Sequence, residues 1–229
     1  MVEPTGRELW IFGYGSLMWR PDFPYVERRQ VVVTGYHRAF CIASTVHRGT
    51  QARPGLVLGL DRGGACEGVA YRVAPENQPN VMTYLREREL IYGVYQETQA
   101  RARIVNGPVH QSVTVLAYTA ERCHPSYAGG LSLAMQSRII RGAKGQSGAN
   151  LDYLINTVRH LQKLGIREPA LERLMTVTAG HAAHLEPDAQ HRATVAGLHR
   201  IWAMKPTENL TVPRGDQRRF GHRVRVTRM

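Results

Sequence analysis

The sequence predicts an α+β fold in which a strand-rich first half precedes helices gathered toward the end. Three observations carry this. Short apolar runs punctuated by glycine and proline dominate up to about residue 118. Helical periodicity takes over after Pro125. The regular alternation of strand and helix that a doubly wound parallel sheet requires is missing.

An apolar strand over residues 9–12 runs straight into Gly13-Tyr14-Gly15-Ser16-Leu17-Met18. Extended segments are expected at 31–33, 39–42 and 56–60, separated by Gly35, Gly49 and Pro54-Gly55. Gly63-Gly64 then precedes a partly alternating strand over 66–73. Residues 76–92 carry a helical pattern, with Val81, Tyr84 and Leu85 on one face. Strands at 99–105 and 109–118 flank an Asn106-Gly107-Pro108 turn. Helices are predicted over 131–141, 150–164 and 168–184. The second is the best marked: Leu151, Leu154, Ile155, Val158 and Leu161 share helical spacing, and Gly165 is a stop signal. A short helix at 195–204 is followed by a basic tail bearing Arg214, Arg218, Arg219, Arg223, Arg225 and Arg228. The organisation expected is therefore one domain at 1–189 with a basic C-terminal extension at 190–229.

Composition bounds the function. A chain of 229 residues, 43% hydrophobic, suits a single well-filled core. The net charge of +12 and pI near 10.2 favour association with polyanions. Net charge speaks to association rather than to activity, so nucleic-acid binding is not the expected function. Cys41, Cys66 and Cys123 form no CxxC pair and read as reduced thiols. No secretory signal is visible, and no apolar run approaches the ~20 residues of a membrane helix, so a soluble cytoplasmic protein is expected. His181 and His184, with His191 and His199 beyond them, lack carboxylate or cysteine partners at ligand spacing, and no metal site is predicted. Nothing in the sequence specifies an oligomeric state.

Two segments can carry chemistry. The glycine-flanked loop after the first strand can bring backbone amides close to a ligand and cradle an anion such as a carboxylate. It is not a dinucleotide fingerprint, because Met18 stands where the third glycine belongs. It is not a nucleophile elbow either, which would need glycine at Tyr14 and Met18. An ordinary strand-to-turn glycine pair is the other reading. Tyr84-Leu85-Arg86-Glu87-Arg88-Glu89 reads as an ion-paired solvated face, or as a helix that turns one glutamate inward as a general base. Spacing alone does not choose between Glu87 and Glu89.

Taken together, several stretches are recognisable. Phe12-Gly13-Tyr14-Gly15-Ser16-Leu17-Met18-Trp19 is followed by Asp22-Phe23-Pro24-Tyr25 and by Ser44-Thr45-Val46-His47-Arg48-Gly49 with Arg53-Pro54-Gly55. Glu67-Gly68-Val69-Ala70-Tyr71-Arg72 and Arg88-Glu89 come next, then His124-Pro125-Ser126-Tyr127, and Ser147-Gly148-Ala149-Asn150 with Tyr153-Leu154. In this order, over roughly residues 9–175, they resemble the motifs of the ChaC family of γ-glutamylcyclotransferases. The resemblance implies a compact mixed-sheet, barrel-like fold with helices packed around it. It implies conversion of glutathione to 5-oxoproline and cysteinylglycine. It also implies a substrate loop made of Gly13, Tyr14, Gly15, Ser16, Leu17 and Met18, Glu89 as proton acceptor, and Tyr127 near the substrate. Glu89 is favoured over Glu87 because an apolar residue follows the arginine–glutamate pair, with Gly93 and Tyr95 shortly after. The basic extension has no counterpart in the resemblance.

The implied reaction suits such parts. The substrate's own α-amine attacks its γ-carbonyl, so the enzyme mainly holds a folded conformer in which the two meet. The amine is largely ammonium at neutral pH, so a carboxylate must take a proton, and partial burial raises that carboxylate's pKa. The chemistry needs neither metal nor organic cofactor. Arg48 or Arg53 is a candidate contact for the glycine carboxylate, on charge alone. Two rivals stand beside this reading: the same cyclisation on another γ-glutamyl donor, and a basic nucleic-acid-binding or regulatory module with a vestigial site. The Ser44–Gly49 motif favours glutathione.

Overall fold

The structure, a computed structural model, describes residues 8–106 and 111–180. Five strands close into a barrel in the order β1-β3-β2-β4-β5: β1 (Leu9–Gly13), β2 (Glu27–Ser44), β3 (Gly55–Val73), β4 (Tyr95–Ile104) and β5 (Ser112–Ala120). Every pairing is antiparallel except the closing one, where β1 runs parallel to β5 with Trp10 opposite Val115.

The two longest strands differ from the sequence reading. Segments expected at 31–33 and 39–42 belong to one 18-residue strand, and those at 56–60 and 66–73 to one of 19 residues. The register shifts between Thr34 and Tyr36, where Gly35 takes φ +88°, with Gly63 and Gly64 at positive φ on the facing strand. A left-handed glycine here makes a bulge, which bends and twists the ladder without ending it. Long bent strands are what a small closed barrel needs.

Alternation sets the faces. In β4, Ala100, Ala102 and Ile104 are buried while Gln99, Arg101 and Arg103 face solvent. In β5 every residue from Val115 to Ala120 is buried, so both its faces are covered. Ile11, Val31, Val33, Leu56, Leu60, Val69 and Tyr71 fill the core between them.

A 3-10 turn at Pro75–Asn77 leads into α1 (Gln78–Glu89), which buries Val81, Met82 and Leu85. The helix ends three residues earlier than its pattern suggests. The Leu90 amide still reaches the Arg86 carbonyl, but Gly93, at φ +65°, turns the chain into β4. Glu89 is thus the last helical residue. α2 (Leu133–Gly142), capped by Ser132, α3 (Asn150–Lys163) and α4 (Pro169–Gly180) pack on one another, with α2 and α3 against β3. A two-residue hairpin, β6 (Lys144–Gly145) with β7 (Gly148–Ala149), was not foreseen. Among the described residues no helix is long and apolar enough to cross a membrane. The 106–108 turn lies partly outside the described residues. Wholly outside them are 181–184 of the third predicted helix, the 195–204 helix, the extension and the four histidines noted above.

Candidate active site

β1 delivers its last residue into the loop. Ser16–Met18 form a 3-10 turn in which the Met18 amide donates to the Gly15 carbonyl at 2.9 Å. A Cβ on Gly13 would press to 3.1 Å from the Met18 nitrogen and Leu17 Cβ, so the turn folds back over a residue without a side chain. Leu17 and Met18 are buried, and the Met18 carbonyl accepts from the Tyr71 hydroxyl at 2.7 Å.

One buried arginine braces this loop from below. Arg38 Nε donates to the Tyr14 carbonyl and Nη2 to the Glu67 carbonyl, each at 2.5 Å. Nη2 lies 3.8 Å from Met18 Sδ, and Nη1 is ion-paired with Glu168 just before α4. Among the described residues the amides of Gly15, Ser16 and Leu17 meet no backbone acceptor. Unpaired backbone donors call for a partner, and a row of them suits an anion.

Glu87 is exposed, whereas the Glu89 side chain is only 17% exposed. The helix therefore turns Glu89 inward, which spacing left open. Burial raises the Glu89 carboxyl above the ordinary carboxylate range, and Arg88 draws it partly back. Arg88 belongs to the charged run whose pattern also fits a solvated face. Its Nε donates to Glu89 Oε1 at 3.1 Å and its Nη2 to Ser16 Oγ at 2.9 Å, while Nη1 reaches the Tyr84 hydroxyl at 2.7 Å. A single planar guanidinium thus ties the inward glutamate to the glycine loop.

Four phenols feel the charge of that carboxylate. Tyr14, Tyr95, Tyr118 and Tyr153 all titrate high, mainly through burial, and each also feels the Glu89 charge. Tyr95 donates to the Leu58 carbonyl at 2.7 Å, and Tyr153 meets the same residue's backbone. Sequence reading singled out only Tyr14 among them. Tyr95 and Tyr153 were visible as members of motifs, without a role. The Tyr127 hydroxyl donates to Asp61 Oδ2 at 2.8 Å, and Arg122 holds the other carboxylate oxygen at 2.7 Å; Tyr127 packs with Tyr95 against Cys41 and Ile42. Burial first and Asp61 second push the Tyr127 hydroxyl up to about 12.

An inward carboxylate tied through Arg88 to a glycine loop is a group equipped to accept and return protons, as in an acid–base enzyme. The chain belongs to the ChaC-like protein family, whose sequence model matches residues 9–180. It is 35% identical over 186 residues to the glutathione-specific γ-glutamylcyclotransferase of Escherichia coli (strain K12), covering 81% of this chain and 79% of that one. It is 40% identical over 161 residues to glutathione-specific γ-glutamylcyclotransferase 1 of Mus musculus, covering 69% and 72% respectively. A yeast γ-glutamyl cyclotransferase specific to glutathione shares the fold at a TM-score of 0.70 and 21% identity, over 79% of this chain and 99% of that one.

Proposed function

We propose that this chain is a γ-glutamylcyclotransferase that degrades glutathione to 5-oxoproline and cysteinylglycine, with Glu89 as general base. The observation that carries the reading is the inward Glu89 carboxylate, fastened through Arg88 to the Gly13–Met18 loop.

The α-carboxylate of the substrate settles on the Gly15–Leu17 amides, with Tyr14 and Met18 as the loop's apolar backing. That contact fixes one end of the γ-glutamyl group and folds its α-amine toward its own γ-carbonyl. Glu89 takes a proton from the α-ammonium, and the freed nitrogen lone pair attacks the carbonyl carbon of the γ-glutamyl amide to close the five-membered ring. The proton held by Glu89 passes to the departing cysteinyl nitrogen as the C–N bond breaks. Glu89 ends as it began, and the attacking amine keeps one hydrogen as the lactam N–H after surrendering its second proton to solvent. Holding amine and carbonyl together supplies much of the acceleration, since well-oriented intramolecular reactions reach effective molarities of roughly 10⁵–10⁸ M.

Residues 1–189 form the catalytic unit in this reading, and 190–229 are an appended basic extension dispensable for turnover. Tyr127 supports the barrel wall through Asp61. A cytoplasmic location suits a substrate kept reduced there. The test is incubation of the full chain with reduced glutathione and quantitation of cysteinylglycine and 5-oxoproline. Stoichiometric appearance of both is expected, and release of neither would sink the assignment. Equal efficiency on γ-glutamylalanine would keep the cyclisation but remove the preference for glutathione.

A further inference from the structure

Gly13 opposite Val69 is the last pair between β1 and β3. Just past it, Arg38 Nε holds the Tyr14 carbonyl and Nη2 the Glu67 carbonyl, each at 2.5 Å. The guanidinium therefore bridges the two chain segments as they part. Its third nitrogen is ion-paired with Glu168, whose carboxylate offsets the charge. The Arg38 side chain is fully buried, and a buried guanidinium is tolerated where its charge and its donors are both met.

The bond to Tyr14 orients more than a carbonyl. No described peptide bond is cis, so the Tyr14–Gly15 peptide is planar and trans. In a trans peptide the carbonyl and the N–H point in opposite directions. Holding the Tyr14 oxygen on Arg38 therefore turns the Gly15 N–H away from the arginine. Among the described residues that N–H meets no backbone acceptor, as suits a donor kept for a ligand. A hydrogen bond from a cation to the carbonyl also polarises the peptide and strengthens its N–H as a donor. Glycine at 15 gives the backbone wide freedom, so an unbraced loop would spend time with this peptide turned over. Arg38 removes that freedom. Because Glu168 balances its charge, the arginine acts through the peptide rather than by a direct pull on a bound anion.

We infer that Arg38 is a positioning residue that aims the Gly15 N–H at the α-carboxylate of the γ-glutamyl substrate. The inference rests on the cyclotransferase reading above. It is tested by comparing kcat/KM for glutathione with that for glutathione bearing an α-carboxamide on its γ-glutamyl group, in the full chain. The wild type should prefer glutathione by about 100-fold, because the carboxamide forfeits charge-assisted hydrogen bonds from the loop. Arg38→Met combined with Glu168→Gln removes both charges together, so neither is left buried alone. In that variant the preference should shrink by about tenfold, with circular dichroism confirming the fold. Arg38→Lys offers one nitrogen where three are used, so it should also lose preference, and it carries the test if the double variant does not fold. A wild-type preference in either folded variant overturns the assignment. That holds even if both rates fall together, since a brace for the fold alone would slow both substrates equally. A wild type that cyclises neither substrate refutes the parent reading instead, before any variant is compared.

Discussion

Replacing Glu89 by glutamine isolates the proton-transfer role from the packing role. Glutamine has the same shape and keeps an oxygen for Arg88 Nε, now 3.1 Å from Oε1, so the link through Arg88 to Ser16 should survive. What disappears is the ability to accept a proton. Loss of a positioned general base costs about 10²–10⁴ in rate, or roughly 3–5 kcal/mol of transition-state stabilisation. The fall should appear in kcat, with KM for glutathione little changed. Stability should move the other way. Burial raises the folded pKa of Glu89, so the native state keeps its proton where the unfolded chain has lost it. Stability therefore declines as pH rises from the ordinary carboxylate pKa of about 4.3 through the raised one. Above the raised pKa the wild type bears that cost, and the glutamine variant does not. Glu89→Gln should thus melt at or above the wild type at pH 7, with the gap closing below about pH 4. Glu87→Gln, on an exposed residue, is the control and should stay active. Near-normal turnover in Glu89→Gln, or a dead Glu87→Gln, would show the base to be misassigned.

Other expectations can be checked alongside. The acid limb of kcat/KM should have its midpoint above about 4.3, because the base must be ionised and burial raises its pKa; a midpoint at or below that value contradicts the burial argument. Tyr127→Phe should lower stability by about 1 kcal/mol while leaving kcat close to wild type, since it removes a hydrogen bond to Asp61 rather than one at Glu89. A large loss in kcat would bring Tyr127 back to the substrate. Asn150, fully buried, spans the Leu56 amide and carbonyl with 2.7 Å bonds, and Asn150→Ala should cost roughly 1–3 kcal/mol for each group left bare, read by urea unfolding.

The order of elements was legible because apolar runs and helical spacing report directly on burial, and Leu154, Val158 and Leu161 of α3 are buried as their spacing demands. Strand length was not. Gly35 and Gly63-Gly64 look like chain reversals locally, and only the facing strand reveals them as a bulge. The loop and Glu89 were readable through resemblance. Arg88 was not, because alternating charges on a helix describe a solvated face equally well. Its true neighbour, Ser16, is distant in sequence and comes close only when the barrel forms. Arg38 is a similar case, a charge on a strand whose partners belong to the loop, β3 and the segment before α4.

The parallel closure of the barrel also bears on how the chain is made. Trp10 is paired with Arg72 on one side and Val115 on the other. β1 is made before β5 and therefore waits for this second neighbour until roughly a hundred residues later, at about 5–20 residues per second. For those seconds an apolar strand carries an open edge, which invites pairing with other chains. Such long-range pairing also slows folding, since loop closure comes before any reward. A nascent chain cut short before β5 is thus a sheet with two open edges, more apt to join its neighbours than to act as a smaller enzyme.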